Sequence, residues 1–399
     1  MTLGSWRMAG VALLGMSLLL SACGSDVGGS SASLKAPNDE TFYVAPDDLS
    51  SFSPGELIWS RDYDGPHAIE GASNSLILYT QKAHNGPELV GVSGIVTVPS
   101  GEPPAGGWPV ISWGHGSTGL ADRCAPTYDT AVPENNFVNE QFIAEWVDKG
   151  YAVVRSDFEG LGTPGDHPYL IGPSAGRSVL NIVTAAQELD PDLSDDVVLA
   201  GHSQGGHAAL WGASMTDSVR GLNIKAVVSF APPTHLAGAL EAVISGMAKA
   251  PSGIIAIVTR GLEIGHPEAI DTDEFLLPAG KEPYSRIDNA CFGEIFGPEY
   301  FGNVPVEEFG DAEADLTVAI GKLNANDPSF RNISIPILLA QGDKDTTVPS
   351  IMTNFLAEEY EANGLDVIYK KYPRADHNSV LVEVKDVANE FIDTAFASK

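Results

Sequence analysis

From position 76 to the C-terminus, short runs of apolar and β-branched residues alternate with stretches whose apolar positions recur at helical spacing. The runs at 76–82, 89–98, 108–113, 151–157, 197–200, 225–230, 336–341 and 367–372 predict eight strands. Several are apolar throughout, as strands covered on both faces are. Ser174 stands ahead of Val179, Ile182, Val183, Ala186 and Leu189, which reads as an N-cap followed by the buried stripe of a helix. Val380, Leu381, Val384, Val387, Ala388, Phe391 and Ile392 repeat the helical spacing near the end. Strands alternating with helices give an α/β class, a mostly parallel central sheet flanked by helices. The rhythm breaks between Ala231 and Asn332, where helical runs at 236–247 and 253–264 carry few charges. Structureless loops beyond about 15 residues are uncommon in compact domains, so this insertion after the sixth strand is expected to be a helical cap.

Ahead of the sheet pattern, Arg7 precedes an apolar run from Val11 to Leu20, the layout of an export signal and too short to span a bilayer comfortably. It closes on Leu20-Ser21-Ala22-Cys23, which resembles the lipobox of bacterial lipoproteins and implies removal of 1–22 and lipid on Cys23. Residues 24–38 are rich in Gly and Ser without apolar periodicity and read as a tether, which at about 5–6 Å times the square root of its length reaches on the order of 20 Å. The expected organisation is a signal at 1–22, a tether at 23–50, core at 51–231, cap at 232–333 and core again at 334–399. The expected location is the cell envelope, anchored through Cys23, or the exterior. With Cys23 assigned to lipid, Cys124 and Cys291 remain as an even pair in an exported chain, which predicts a disulfide.

Charge narrows the partners. The 22 Lys and Arg face 53 Asp and Glu for a net −31, and such a surface repels phosphate backbones, so nucleic acid is excluded as a partner. The motifs of metal sites, HExxH, paired CxxC and acidic EF-hand loops, do not occur, and neither a metal nor a cofactor is expected.

The strongest chemical signal is Gly201-His202-Ser203-Gln204-Gly205, set between the strand-like 197–200 and a helix-capable stretch. A GxSxG in that setting is a nucleophile elbow, a tight turn that lifts a serine hydroxyl above the sheet. A serine needs a base and an orienting carboxylate, here expected in the order Ser, Asp, His. Asp345 follows the strand at 336–341 inside Gly342-Asp343-Lys344-Asp345-Thr346-Thr347-Val348-Pro349, with Asp343 as the competing carboxylate. His377 lies between the last strand and the last helix. His202 and His207 flank the serine but point off the elbow, which suits packing or surface roles, and His67, His84, His167, His235 and His266 default to the surface. Asp157 and Arg177 are read as loop-organising rather than catalytic.

Gly114, Gly116 and Gly119 spell GxGxxG and invite a dinucleotide reading, which requires the glycines to open a helix and an acidic residue about 20 positions on. Loop-like sequence follows instead. An oxyanion turn fits better, with the backbone amides of Ser117 and Gln204 as the named donors.

The stretches HGSTGLADRCAP from His115, SDFEGLGTPGDHPYLIGPSAGRSVLN from Ser156, LAGHSQGGHAALW from Leu199, and GDKDTTVP with the later His377 resemble the secretory lipase family of α/β-hydrolases, over most of the chain from Gly94 onward. The resemblance implies a carboxylic-ester hydrolase, an esterase or lipase, with a large cap and an ester or lipid substrate. Same-fold acyltransferases, polyester hydrolases and inactive binding lipoproteins share these features, since fold and triad do not fix a substrate.

Overall fold

The computed structural model describes residues 35–128, 136–219 and 221–398, so the expected signal and Cys23 lie outside the described residues. Nine strands form one sheet: β1 (Leu57–Asp62), β2 (Ser73–Lys82), β3 (Leu89–Val98), β4 (Trp108–Gly114), β5 (Ala152–Ser156), β6 (Leu193–His202), β7 (Asn223–Phe230), β8 (Ile337–Gly342) and β9 (Val367–Tyr372). Their spatial order is β1-β2-β3-β5-β4-β6-β7-β8-β9. The first three strands are antiparallel to their neighbours, and from β5 to β9 every pairing is parallel.

The eight predicted strands are all present, and β1 is the addition. Only its first three residues are buried before it turns polar at Ser60-Arg61-Asp62, too short an apolar run to stand out. The insertion therefore follows the seventh strand of nine rather than the sixth of eight. Helix α1 (Asn136–Asp148), α2 (Gly172–Leu189) and α3 (Gln204–Ala213) follow β4, β5 and β6. One face of the sheet is closed by α2, α3 and the helix Ser350–Ala362, through Leu180, Ile182, Leu210 and Leu356. The other is closed by α1 and the last helix, Ser379–Ala397, through Trp146, Leu381 and Val384. Ser174 does not cap α2. The helix begins at Gly172 behind Ile171, with proline in its first turn, and the Ser174 hydroxyl is turned to the buried Glu159.

Packing begins inside the segment expected as tether. Glu40–Tyr43 form a 3-10 turn whose Phe42 is wholly buried against Ile58 and Trp59, so the chain is fixed to the sheet well before residue 50. An apolar pair in a polar stretch was too weak a pattern to show this.

Between β7 and β8 lie α4 (Leu236–Ile244), α5 (Ser252–Gly265), the helix Thr317–Ala325 and shorter turns, with a core of their own that includes Ile257, Leu262, Phe275 and Phe309. Asp327 clasps the two necks of this layer. Its carboxylate accepts from Thr234 Oγ1 at 2.8 Å and from the His235 amide on the way in, and from the Ser329 amide at 2.9 Å on the way out. A second tie is the disulfide between Cys124 and Cys291, which joins the layer to the segment after β4 as the cysteine count predicts.

Candidate active site

The chain leaves β4 toward β5 on one side, while β6 lies on the other, so a crevice opens beyond the carboxyl ends of β4 and β6, where ligands collect in open α/β sheets. Ser203 stands there, between β6 and α3, at φ 54° and ψ −121°, a sparsely populated positive-φ conformation that costs a side-chain-bearing residue about 1–3 kcal/mol. The turn is held by the Ser203 amide on the Phe230 carbonyl at 2.8 Å. It also requires its glycines. A Cβ at Gly201 would lie 2.1 Å from the Gly205 carbonyl oxygen, and one at Gly205 would lie 1.9 Å from that of Gly114.

Gly114, Gly116 and Gly119 therefore serve close approach rather than a dinucleotide. No helix opens at Gly114; residues 115–118 run on as irregular backbone, and Gly119 bridges Cys291. The Phe292 amide donates to the Thr118 carbonyl and the Leu120 amide to that of Ala290, so this turn is zipped to the cap beside the disulfide. Ser117 is buried, and its hydroxyl lies 2.7 Å from that of Tyr169.

The two candidate carboxylates separate by partner. Asp345 is buried; its Oδ1 accepts from the Thr347 and Val348 amides, both at 2.8 Å, and its Oδ2 accepts from Gln341 Nε2 at 2.8 Å. The same Oδ2 lies 2.6 Å from His377 Nδ1. A carboxylate so surrounded by donors can only accept, which places the imidazole proton on Nδ1 and leaves Nε2 free to take another. Asp343 instead pairs with Lys371 at 3.2 Å.

Gln341 was not singled out in the sequence, although a lone amide in the otherwise apolar strand Ile337–Gly342 is a visible signal of a buried polar partner. Three further residues depart from expectation. His167 is buried rather than on the surface: its Nδ1–H donates to the Glu159 carbonyl at 2.7 Å, and its Nε2 accepts from Gln204 Nε2 at 2.8 Å, fixing the side chain next to Ser203. His67 is also buried. His84 is only slightly exposed and sits on Glu159 at 2.9 Å.

Asp157 and Arg177 hold loops. Asp157 accepts from the Ser93 hydroxyl at 2.6 Å and from the amide and hydroxyl of Thr127, and Arg177 donates to the Ala83 carbonyl at 3.2 Å. Asp157→Asn leaves one acceptor oxygen for the Thr127 amide on one side and the two hydroxyls on the other, and is expected to lower stability by about 1–3 kcal/mol, read by urea unfolding, with turnover of the folded fraction kept. A stably folded but inactive variant would refute the structural role.

Above Ser203 and Ser117 lies a cavity of about 490 Å³, walled mainly by apolar side chains of α4 and α5, among them Leu240, Val243, Ile255 and Val258. Thr346 to Val348 bring the Asp345 turn to the same wall.

Burial around the site sets an acid limit. It pushes His115 and His167 down to about 4 and His202 to about 3, and lowers His207 as well. Between pH 6.5 and about 4 the unfolded chain binds protons on these histidines that the folded chain refuses, so stability is lost as pH falls. Asp157 runs the other way, since burial raises its carboxyl to about 6 and the folded chain gains a proton there first. These histidines outnumber the one carboxyl, so unfolding takes up protons near pH 5 and acid favours the unfolded chain. Thermal unfolding measured from pH 7 to 4.5 is expected to show a steep fall in Tm; a flat profile would contradict the buried, neutral histidines.

A family model described as secretory lipase matches residues 136–399. Lipase A of Moesziomyces aphidis is 26% identical over 385 residues, covering 87% of this chain and 77% of its own length. A probable inactive lipase of Mycobacterium tuberculosis is 22% identical, with 91% and 83% covered. Among solved structures, Candida antarctica lipase A in its closed state superposes with a TM-score of 0.74 at 23% identity, over 92% of this chain and 87% of its own. That likeness shows the fold, the α/β-hydrolase fold with its mostly parallel sheet.

Proposed function

The chain belongs to the secretory lipase family, and from that premise we propose that it is a serine carboxylic-ester hydrolase of the esterase or lipase type, with Ser203 as nucleophile, His377 as base and Asp345 as its orienting carboxylate. The observation that carries this reading is the 2.6 Å contact of His377 Nδ1 with Asp345, with Ser203 on an elbow in the wall of an apolar cavity.

Ser203 Oγ attacks the ester carbonyl carbon as His377 Nε2 takes its proton. Asp345 holds the tautomer this requires and stabilises the imidazolium. The oxyanion of the tetrahedral intermediate is held by the backbone amides of Gln204 and Ser117, with the N-terminal end of α3 adding its positive dipole. His377 then protonates the leaving alkoxide, and water, deprotonated by the same ring, releases the acid from the acyl-enzyme. The apolar wall of α4 and α5 takes the acyl chain and keeps bulk water from the intermediate.

Membership of a secretory family supports export, and the lipobox-like Leu20-Ser21-Ala22-Cys23 supports retention at the envelope through lipid on Cys23. The protein's partner in this reading is an ester or lipid substrate.

The test is hydrolysis of p-nitrophenyl esters from acetyl to palmitoyl by the purified protein. Turnover with a defined chain-length optimum is expected; none across the series from folded protein would overturn the reading in favour of a binding role. Gly238 lines the cavity at an exposed position, and a Cβ there would meet nothing within 4 Å, so Gly238→Leu has room to place a branched side chain at the open rim. It is expected to move the optimum to shorter acyl chains, with kcat/KM for the longest esters down roughly tenfold and acetyl ester turnover unaffected. Unchanged chain-length preference would place the acyl group elsewhere.

A further inference from the structure

We propose that His202 is a positioning residue for His377: the imidazole beside the nucleophile holds the main-chain carbonyl of His377 and so fixes where that ring stands between Asp345 and Ser203. The inference rests on the assignment of Ser203, His377 and Asp345 as the reacting groups and adds a fourth residue to them.

His202 ends β6 and is 3% exposed. Its Nε2 lies 2.8 Å from the His377 carbonyl oxygen, and the two rings meet with centroids 4.7 Å apart at 45°. A carbonyl oxygen only accepts, so Nε2 carries the proton and Nδ1 is bare. The bare edge abuts the turn after β4, where a Cβ at Gly116 would come within 3.3 Å of Nδ1. One side chain thus touches both the turn that carries Ser117 and the loop that carries His377, from the strand that delivers Ser203.

Asp345 holds the His377 side chain at Nδ1, and that bond by itself does not fix the main chain that carries the ring. A second bond to the same residue's main chain, from an element of the central sheet, does so. His202 must also stay uncharged, because His377 becomes a cation during the reaction and a second cation at ring contact would oppose it. Burial does this, holding His202 down at about 3.

Two substitutions separate the hydrogen bond from the packing. His202→Phe keeps an aromatic ring against His377 but has no donor, whereas His202→Gln keeps an N–H donor within reach. Wild type, both variants and Ser203→Ala are compared on p-nitrophenyl butyrate for kcat and KM, on diethyl p-nitrophenyl phosphate for the rate of active-site labelling, and by thermal unfolding. The expected result is a fall of roughly 10- to 100-fold in kcat and in labelling rate for His202→Phe, with KM within about twofold, and recovery of most of that loss in His202→Gln. A folded His202→Phe with wild-type kcat would overturn the proposal, as would a His202→Gln as defective as His202→Phe. Should His202→Phe fail to fold, His202→Met takes its place as the chain without a donor, judged by the same two outcomes. Loss of the far-downfield proton resonance of His377 Nδ1–H in the donorless variant alone is the matching spectroscopic result. Absence of Ser203-dependent turnover in the wild type would instead overturn the serine-hydrolase reading itself.

Discussion

Ser203→Ala is expected to lower kcat for p-nitrophenyl butyrate by at least about 10⁴-fold, with KM and Tm close to those of the parent. The reason is local. Alanine takes the same small space, and the elbow is built from backbone contacts, the Ser203 amide on the Phe230 carbonyl and the close approach of Gly201, Gly205 and Gly114, none of which involves the hydroxyl. What is lost is the only atom at that position able to form the acyl-enzyme. The cavity and the amides of Ser117 and Gln204 would remain, so binding survives and a small residual rate over water is expected. Residual turnover above about one per cent of the parent would mean that the nucleophile lies elsewhere.

Asp345→Asn is expected to cost about 10⁴-fold in kcat at neutral pH. Asp345 uses Oδ1 for two backbone amides and Oδ2 for Gln341 Nε2 and His377 Nδ1, all four donors. An asparagine that keeps its oxygen on the backbone amides turns its NH₂ toward His377 and Gln341, two donors where acceptors are now required. The imidazole answers by moving its proton to Nε2, and in that tautomer it cannot accept the proton of Ser203. Asp343→Asn is the control. Asp343 faces Lys371 at the edge of the site, and its change is expected to leave kcat within about twofold, in line with an exposed ion pair. Equal losses in the two variants would contradict the division of roles between the carboxylates.

The path from residues to site was unevenly legible. The buried strands were readable because β4 to β8 each carry a run of buried, mostly apolar residues, and the elbow because its glycines and its strand–turn–helix setting are local in sequence. The insertion was readable from its length alone. β1 was not, since an edge strand with three buried residues carries little periodicity, nor was the docking of Phe42, which depends on a surface supplied by distant strands. The choice between Asp343 and Asp345 rested on a turn motif, and it is the distance to His377, 32 residues away in the chain, that separates them. Buried histidines were the largest omission. Nothing adjacent in sequence tells that His167 orients Gln204 or that His202 reaches His377, because both contacts join segments that meet only once the sheet is assembled.

The central claim is that Ser203 is the nucleophile of an ester hydrolase, and titration with diethyl p-nitrophenyl phosphate tests it most directly. Attack by Oγ forms a phosphorus–oxygen bond and expels p-nitrophenolate, so the label and the coloured product are counted separately. The account predicts one p-nitrophenolate released per chain, a diethylphosphoryl mass on the peptide that carries Ser203, and loss of ester turnover in proportion to labelling. Full ester turnover in a protein that releases no p-nitrophenolate, or a label on a residue other than Ser203, would contradict it.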